Sequence, residues 1–457
     1  MTLSSFFLLL LCFIYYASTF NLYFILYSSI LSFIAFRFSR KKPKVFFLLV
    51  ITNVLFFISS NSSNMLSFHE PQYLIFILCF VYFIFNYKNL IKIKSHENLI
   101  KLFFIITLIS YLYGLLNLFS NYGIIFNSTG IGLYIEILSA CFLGLIILKL
   151  NLSTEDIFVF IKYILLISLL IIILGFLMNA FSLNLFNDDS INLMGSRLGS
   201  VNEANANNYG RFLLIPFLLS FVFIISDLGL RDKFSSKKIF YIIFILSTLS
   251  IILTFSRTTY FSSICGLFFI LLCHSFVKKT KKILSLLFFL FVMIIVILLF
   301  DVTNIFSYSD RLTSQDSINP RLFRYEAGIK IISSNPLFGV HPGNYKQSLY
   351  DNLNISRFSS YFQFGTAGSA HNMFLHIAIQ YGIFSGILYI LFPLKLLINS
   401  IRKYNTRNNF NYLVLITGIG LCASIIVHGI SEVYPPIYLL FFYGILSRNL
   451  DLINDKK

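Results

Sequence analysis

The chain has 457 residues, 57% of them apolar and only 12% charged, with a mean hydropathy of +0.82 and a net charge of +17. A water-soluble fold carries about a quarter of its residues charged, so composition excludes a soluble globular protein. The basic residues punctuate apolar runs rather than forming a patch, which argues against a nucleic-acid partner.

Apolar runs of the roughly 17–25 residues that cross a bilayer recur along the whole chain. They predict an all-α polytopic integral membrane protein, with residues 1–457 forming a single transmembrane domain. In chain order the spans fall near 3–18, 21–36, 45–60, 72–87, 102–119, 130–149, 156–179, 209–226, 239–255, 258–276, 283–300, 370–394, 411–429 and 436–447. The first pair carries the weakest signal, which puts the number at 12–14. The run Met1 to Phe20 lacks a basic leader and a small-residue cleavage site, and reads as a span rather than a removed signal peptide. Cys12, Cys79, Cys141, Cys265, Cys273 and Cys422 stand singly in apolar stretches, a pattern that signals neither a disulfide framework nor a thiolate metal site. Trp is absent, so the 27 Tyr must supply most of any interfacial belt.

Threading the spans alternately places 26 of the 35 Lys and Arg on one side, from the group Arg37–Lys44 to the closing Arg448, Lys456 and Lys457. The positive-inside rule makes that side the cytoplasm and puts both termini there. Most outer loops are short, but two are not: 180–208 and 301–369. The second is far longer than a connector needs to be. It is expected to be a large extracytoplasmic loop containing short helices.

Nine basic residues are left on the outer side, against the rule: Arg197, Arg211, Arg257, Arg311, Arg321, Arg324, Lys330, Lys346 and Arg357. Seven are Arg, whose planar fork grips phosphate bidentately where Lys is only a point charge. The enrichment points to an anion on the outer face. Arg257 lies in Thr254-Phe255-Ser256-Arg257-Thr258-Thr259, wedged between two spans, where a charge is costly and usually functional; the bland alternative is a side chain snorkelling to headgroups. The stretch from Asn319 to Gly328 reads as a helix start, with Asn319 as N-cap and Pro320 as first helical residue. Arg321 and Arg324 then share a face in the first turn, where the helix dipole repels cations and welcomes an anion. An amphipathic interfacial helix would explain Leu322, Phe323, Ile329 and Ile332, but not the paired arginines. Asn335-Pro336 ends that helix, and Gly339 and Gly343 allow tight turns after it.

Four of the seven His, His69, His341, His371 and His428, fall near the outer face. His371-Asn372 opens a span after the flexible Gly365–Ala370. A His at a helix N-terminus near arginines is expected to stay neutral, ready to accept a proton as general base; a capping role is the plainer reading. His376 lies five residues on, points elsewhere and reads as structural, and His341 reads as a turn residue, with a functional role as the alternative. Glu203 and Glu432 are alternative bases. No carboxylate cluster or HExxH suggests a metal, Asp188-Asp189 reads as a solvated loop, and no cofactor is expected. The arginines would neutralise a leaving group's charge.

These residues together resemble the signature of the O-antigen polymerase and O-antigen ligase superfamily. The resemblance lies in Arg321 with Tyr325, Pro336-Leu337-Phe338-Gly339-Val340-His341, His371-Asn372 and Gly382-Ile383-Phe384-Ser385-Gly386. Upstream, Ser256-Arg257 resembles the family's Ser-Arg element, and Gly199 to Asn205 its Gly-…-Pro-Asn element. The motifs cover about residues 195–390. Tyr325 stands where the family has Trp, His341 replaces the turn's second Gly, and Ala204 replaces the Pro before Asn205. The resemblance implies a metal-independent glycosyltransferase of the GT-C kind in the bacterial cytoplasmic (inner) membrane, working at its periplasmic or outer face. Its expected partners are an undecaprenyl-diphosphate-linked oligosaccharide, membrane lipid and a chain-length regulator protein.

The expected roles follow. His371, Arg257 and Arg321 form the catalytic set, and Arg324, Arg197, Asn205, Asn372 and Tyr325 bind the diphosphate or glycan. The reaction expected is inverting polymerisation of a surface polysaccharide, O-antigen or capsule. A ligase that transfers glycan to the lipid A core would use the same residues. A lipid-linked oligosaccharide flippase or other transporter would need inverted repeats and mid-membrane charges, which the sequence does not display.

Overall fold

The structure is a computed structural model that describes residues 97–122, 128–149, 153–180, 206–225, 238–254, 256–278, 319–353, 370–403, 409–430 and 436–454. These residues form an all-helical fold. In chain order the helices are α1 (Glu97–Tyr122), α2 (Ser128–Lys149), α3 (Thr154–Ala180), α4 (Ala206–Ile225), α5 (Lys238–Leu253), α6 (Arg257–Lys278) and α7 (Asn319–Ser334). A 3-10 turn (Pro342–Asn344) follows, then α8 (Tyr345–Asn352), α9 (Met373–Tyr381), α10 (Ile383–Lys403), α11 (Asn409–Gly429) and α12 (Pro436–Asn454). Among the described residues, five stretches are long and apolar enough to cross a bilayer: Glu97–Leu118, Glu155–Leu177, Arg257–Ser275, Ile383–Arg402 and Tyr412–Gly429. The chain is a polytopic membrane protein. The expected spans at 3–18, 21–36, 45–60, 72–87 and 283–300 lie outside the described residues.

Local chemistry sets the helix ends. Ser153 and Asp156 make a capping box before α3: the Asp156 N–H donates to Ser153 Oγ at 3.2 Å, and the Ser153 N–H to Asp156 Oδ2 at 3.0 Å. Glu97 opens α1 and pairs with Lys101 on the next turn and with Lys149 at the end of α2, 3.3 Å away. That pair marks one end of an antiparallel α1–α2 hairpin; the opposite end of the bundle is termed the upper end below.

Helix contacts rest on small residues, as they must where lipid is as apolar as the interface and only close packing and interhelical hydrogen bonds hold helices together. Between α6 and α11, Ser262 and Gly266 face Gly420 and Ser424. A Cβ on Gly266 would stand 2.3 Å from Ser424 Oγ, and one on Gly420 2.5 Å from Ile270 Cδ1. Ser424 Oγ donates to the Ser262 carbonyl at 2.6 Å. Between α2 and α12, a Cβ on Gly444 would lie 3.0 Å from Ile147 Cβ. Away from these seams α1 exposes Leu102, Ile105, Ile109, Leu112 and Leu116; in the membrane, lipid or neighbouring spans cover such a stripe.

One expected span is corrected. Residues 370–394 do not form a single helix: the chain breaks at Gly382 between α9 and α10, and α10 runs on to Lys403. The cause is local. Gly382 sits at φ +87°, and a Cβ there would fall 2.0 Å from the Leu337 carbonyl oxygen. The turn after α7 fills the break, with the Ile383 N–H donating to Pro336 O and the Val340 N–H to Ile379 O, both at 2.9 Å. Turn, α7 and α8 thus form a small upper subdomain whose core joins Ala327, Ile331, Tyr345, Leu349 and Leu353 to Ala370 and Ile379.

Candidate functional site

The expected helix α7 is present: it runs from Asn319, the expected N-cap, which is instead the first helical residue, and stops at Ser334, before Asn335-Pro336. Its buried face is Arg324, Ala327, Gly328 and Ile331, the i, i+3, i+4, i+7 stripe of one helix side. Gly328 lets α7 lie close on α9, since a Cβ there would be 2.8 Å from Leu375 Cδ2. That contact brings the first turn of α7 against the start of α9. The Tyr325 hydroxyl, one turn earlier, donates to the carbonyl of His371 at 2.9 Å and lies 2.6 Å from the Ile430 carbonyl beyond α11.

His371 and Asn372 stand where the α9 helix opens. Asn372 is its N-cap, its Oδ1 accepting from the N–H groups of Phe374 at 3.0 Å and Leu375 at 2.9 Å. Asn372 Nδ2 donates to Ile430 O at 3.1 Å. His371 adopts φ 49°, which a residue with a Cβ seldom does. Tyr325 and Asn372 therefore clamp the backbone on which the His371 ring is mounted. His376 follows a different path: its Nε2 lies 3.0 Å from Gln380 Nε2, and its ring meets Tyr345 edge-on at 4.7 Å. This fits the structural role expected of it.

Arg257 is the first residue of α6, capped by Ser256, whose Oγ accepts from the Thr259 N–H at 3.3 Å and from Thr259 Oγ1 at 2.9 Å. The helix start is pressed onto α4 where a Cβ on Gly210 would lie 2.1 Å from Thr259 Oγ1. The charge of Arg321 acts on the Arg257 guanidinium, so the two are electrostatic neighbours. Arg324 is buried, with 8% of its surface exposed, and its charge reaches Tyr345. The structure thus brings Arg257, Arg321, Arg324, Tyr325, His371 and Asn372 to one place at the upper end, around the amino ends of α6, α7 and α9.

Arg197 and Asn205 lie outside the described residues, as do Arg311, Arg357, Glu203 and Glu432. Lys330 is exposed and pairs with Glu326 at 2.9 Å; Lys346 is exposed as well. Arg211 is not at the surface: it is 1% exposed inside α4. Sequence reasoning passed over Glu136 on α2, which is 5% exposed. Arg211 and Glu136 both act on Tyr389, and Arg211 acts on Tyr438 too. The available signal was a lone acidic residue in an otherwise uncharged run of α2. Among the described residues no group of His, Cys, Asp or Glu is arranged to hold a metal ion.

Residues 242–390 match the family described as O-antigen ligase. The matched segment carries the Arg257, Arg321, His371 and Gly382 motifs, so the resemblance to the O-antigen polymerase and ligase superfamily stands on more than those residues alone. No curated protein matches the chain.

Proposed function

We propose that this protein, similar over residues 242–390 to O-antigen ligase, polymerises a bacterial surface polysaccharide at the outer face of the cytoplasmic membrane. The observation that supports this most is the meeting of three helix amino ends and three guanidinium groups at one spot. Each amino end presents about half a positive charge, and the guanidinium groups beside them add to a potential that favours an anion. A diphosphate fits this demand for charge, and a polyprenyl tail fits the bilayer around it.

In this reading Arg257 and Arg321, with Arg324 behind them, hold the diphosphate of the growing chain. They stabilise the negative charge that develops as the anomeric C–O bond breaks. His371 accepts the proton of a sugar hydroxyl on the incoming lipid-linked repeat unit, and that oxygen attacks the anomeric carbon from the face opposite the leaving diphosphate, inverting it. Tyr325 and Asn372 keep His371 aimed. Arg197 and Asn205 are assigned to the glycan on motif alone.

A second reading is favoured by the description of the matched family: a ligase, with the same donor and a lipid A core sugar as acceptor. Deleting the gene in its native host separates the two. A single-repeat band replacing the surface-glycan ladder supports the polymerase; loss of attached glycan with long polymer left on the lipid carrier supports the ligase. Within either reading, His371→Ala is expected to abolish transfer in a protein that is still inserted, and normal product would remove His371 as the base.

A further inference from the structure

Among the described residues only His371 and His341 combine a side chain with positive φ. His341 is the more unusual, at φ 71° and ψ 136°, a conformation costing about 1–3 kcal/mol that persists only where its surroundings impose it. The surroundings are a socket. The imidazole projects from the upper subdomain between α1 and α2. A Cβ on Gly114 of α1 would lie 2.7 Å from His341 Cβ, and one on Gly130 of α2 would lie 2.5 Å from His341 Cε1. Tyr111 lies over the ring at 4.9 Å and is itself stacked on Tyr134 at 4.2 Å. The residue is 1% exposed. His341 Nδ1 accepts from the Gly343 N–H at 3.1 Å, which puts the proton of the neutral ring on Nε2.

We propose that His341 is a positioning residue, a key seated between α1 and α2 that fixes the upper subdomain against the membrane helices. Through the subdomain it sets the register of Arg321 and Arg324 on α7 with Arg257 on α6. The two glycines leave room for a ring and for nothing larger, and the strained backbone is held because the ring has nowhere else to go. The seating stands on packing alone; its effect on transfer rests on the function proposed above.

The key is sensitive to acid. Burial lowers the imidazole from 6.5 to about 4. The seated ring is neutral and an unseated ring protonates near 6.5. Seating is therefore at full strength above that pH and is lost as the pH falls toward 4. At about pH 5 the seated state should be disfavoured about thirtyfold. The ionisable groups on the elements around it are Tyr111, Tyr134, Tyr381 and Tyr345, all neutral over this range. Beyond them stand His376, against Tyr345, and Glu136, which acts on Tyr381.

Hydrogen exchange of the full chain in detergent tests this, read at residues 336–345 and corrected for intrinsic rates. His341→Gly removes the key and relieves the strained φ, so it should not impair folding; Gly130→Ala fills the socket from the other side. Both are expected to lower protection of the Val340 and Gly343 amides at least tenfold and to reduce glycan transfer in parallel. Wild-type protection should fall about twentyfold between neutral pH and about pH 5, while His341→Gly stays flat. Wild-type protection and pH response in His341→Gly would overturn the proposal. A wild-type protein with the expected protection but no glycan transfer would keep the seating and remove only the functional reading.

Discussion

Two guanidinium groups side by side repel, and an anion between them would relieve that repulsion. Arg257 and Arg321 are electrostatic neighbours, and in the proposed function the diphosphate is that anion. If the fork geometry of Arg321 matters, Arg321→Lys should lower transfer about a hundredfold, as losing one aligned donor at a developing charge does elsewhere; full activity from the Lys variant, measured on purified lipid-linked repeat units, would mean that charge alone is enough. Arg257, Arg321 and His371 were legible in the sequence because charge in an apolar chain is conspicuous and because each sits beside a helix start with its own local cues. The seating of His341 was not. Gly114 and Gly130 lie more than two hundred residues upstream, and a glycine making room for a distant ring leaves no local pattern. The sequence reading of His341 as a turn residue was incomplete: it begins the turn, and it also plugs the bundle.

At the scale of single helices, hydropathy served well where a helix is long and uniformly apolar. The expected spans at 102–119, 130–149, 156–179, 209–226, 239–255, 258–276, 411–429 and 436–447 each coincide with a described helix. Residues 370–394 were the exception because a hydropathy average does not register φ. The apolar run is continuous through Gly382, yet the backbone reverses sense there to admit the Pro336–Val340 turn. Gly382→Ala is therefore expected to cost about 1–3 kcal/mol from φ alone, and more from the contact its Cβ would make with Leu337 O. The loss would appear as a lower melting temperature in detergent, with the subdomain turn displaced. An unchanged melting temperature would mean that the break is not held by the glycine. The two motifs that looked separate in the sequence, Pro-Leu-Phe-Gly and Gly-Ile-Phe-Ser-Gly, are thus two halves of one joint.

For the whole molecule, the arrangement of charge matters most. The bundle buries Arg211 and Glu136 in its upper half, each acting on Tyr389. Both charges lie in a poorly solvating interior. Glu136→Gln and Arg211→Met should each destabilise the fold, read as a lower melting temperature in detergent, and a double-mutant cycle measures how far the two sites are coupled. Additive losses in a double-mutant cycle would show that the two charges are independent. Composition foretold the membrane. It gave no hint that both of these charges are buried, because burial is decided by packing. The position of Tyr325 has a spectroscopic consequence. Its ring lies where α7, the start of α9 and the end of α11 meet, in a chain with no indole anywhere. A single Trp at that position would emit alone, against a background of phenols that can be left unexcited at long wavelength. Its emission colour would report how wet the meeting point of those helices is, and whether an added lipid-linked sugar changes that.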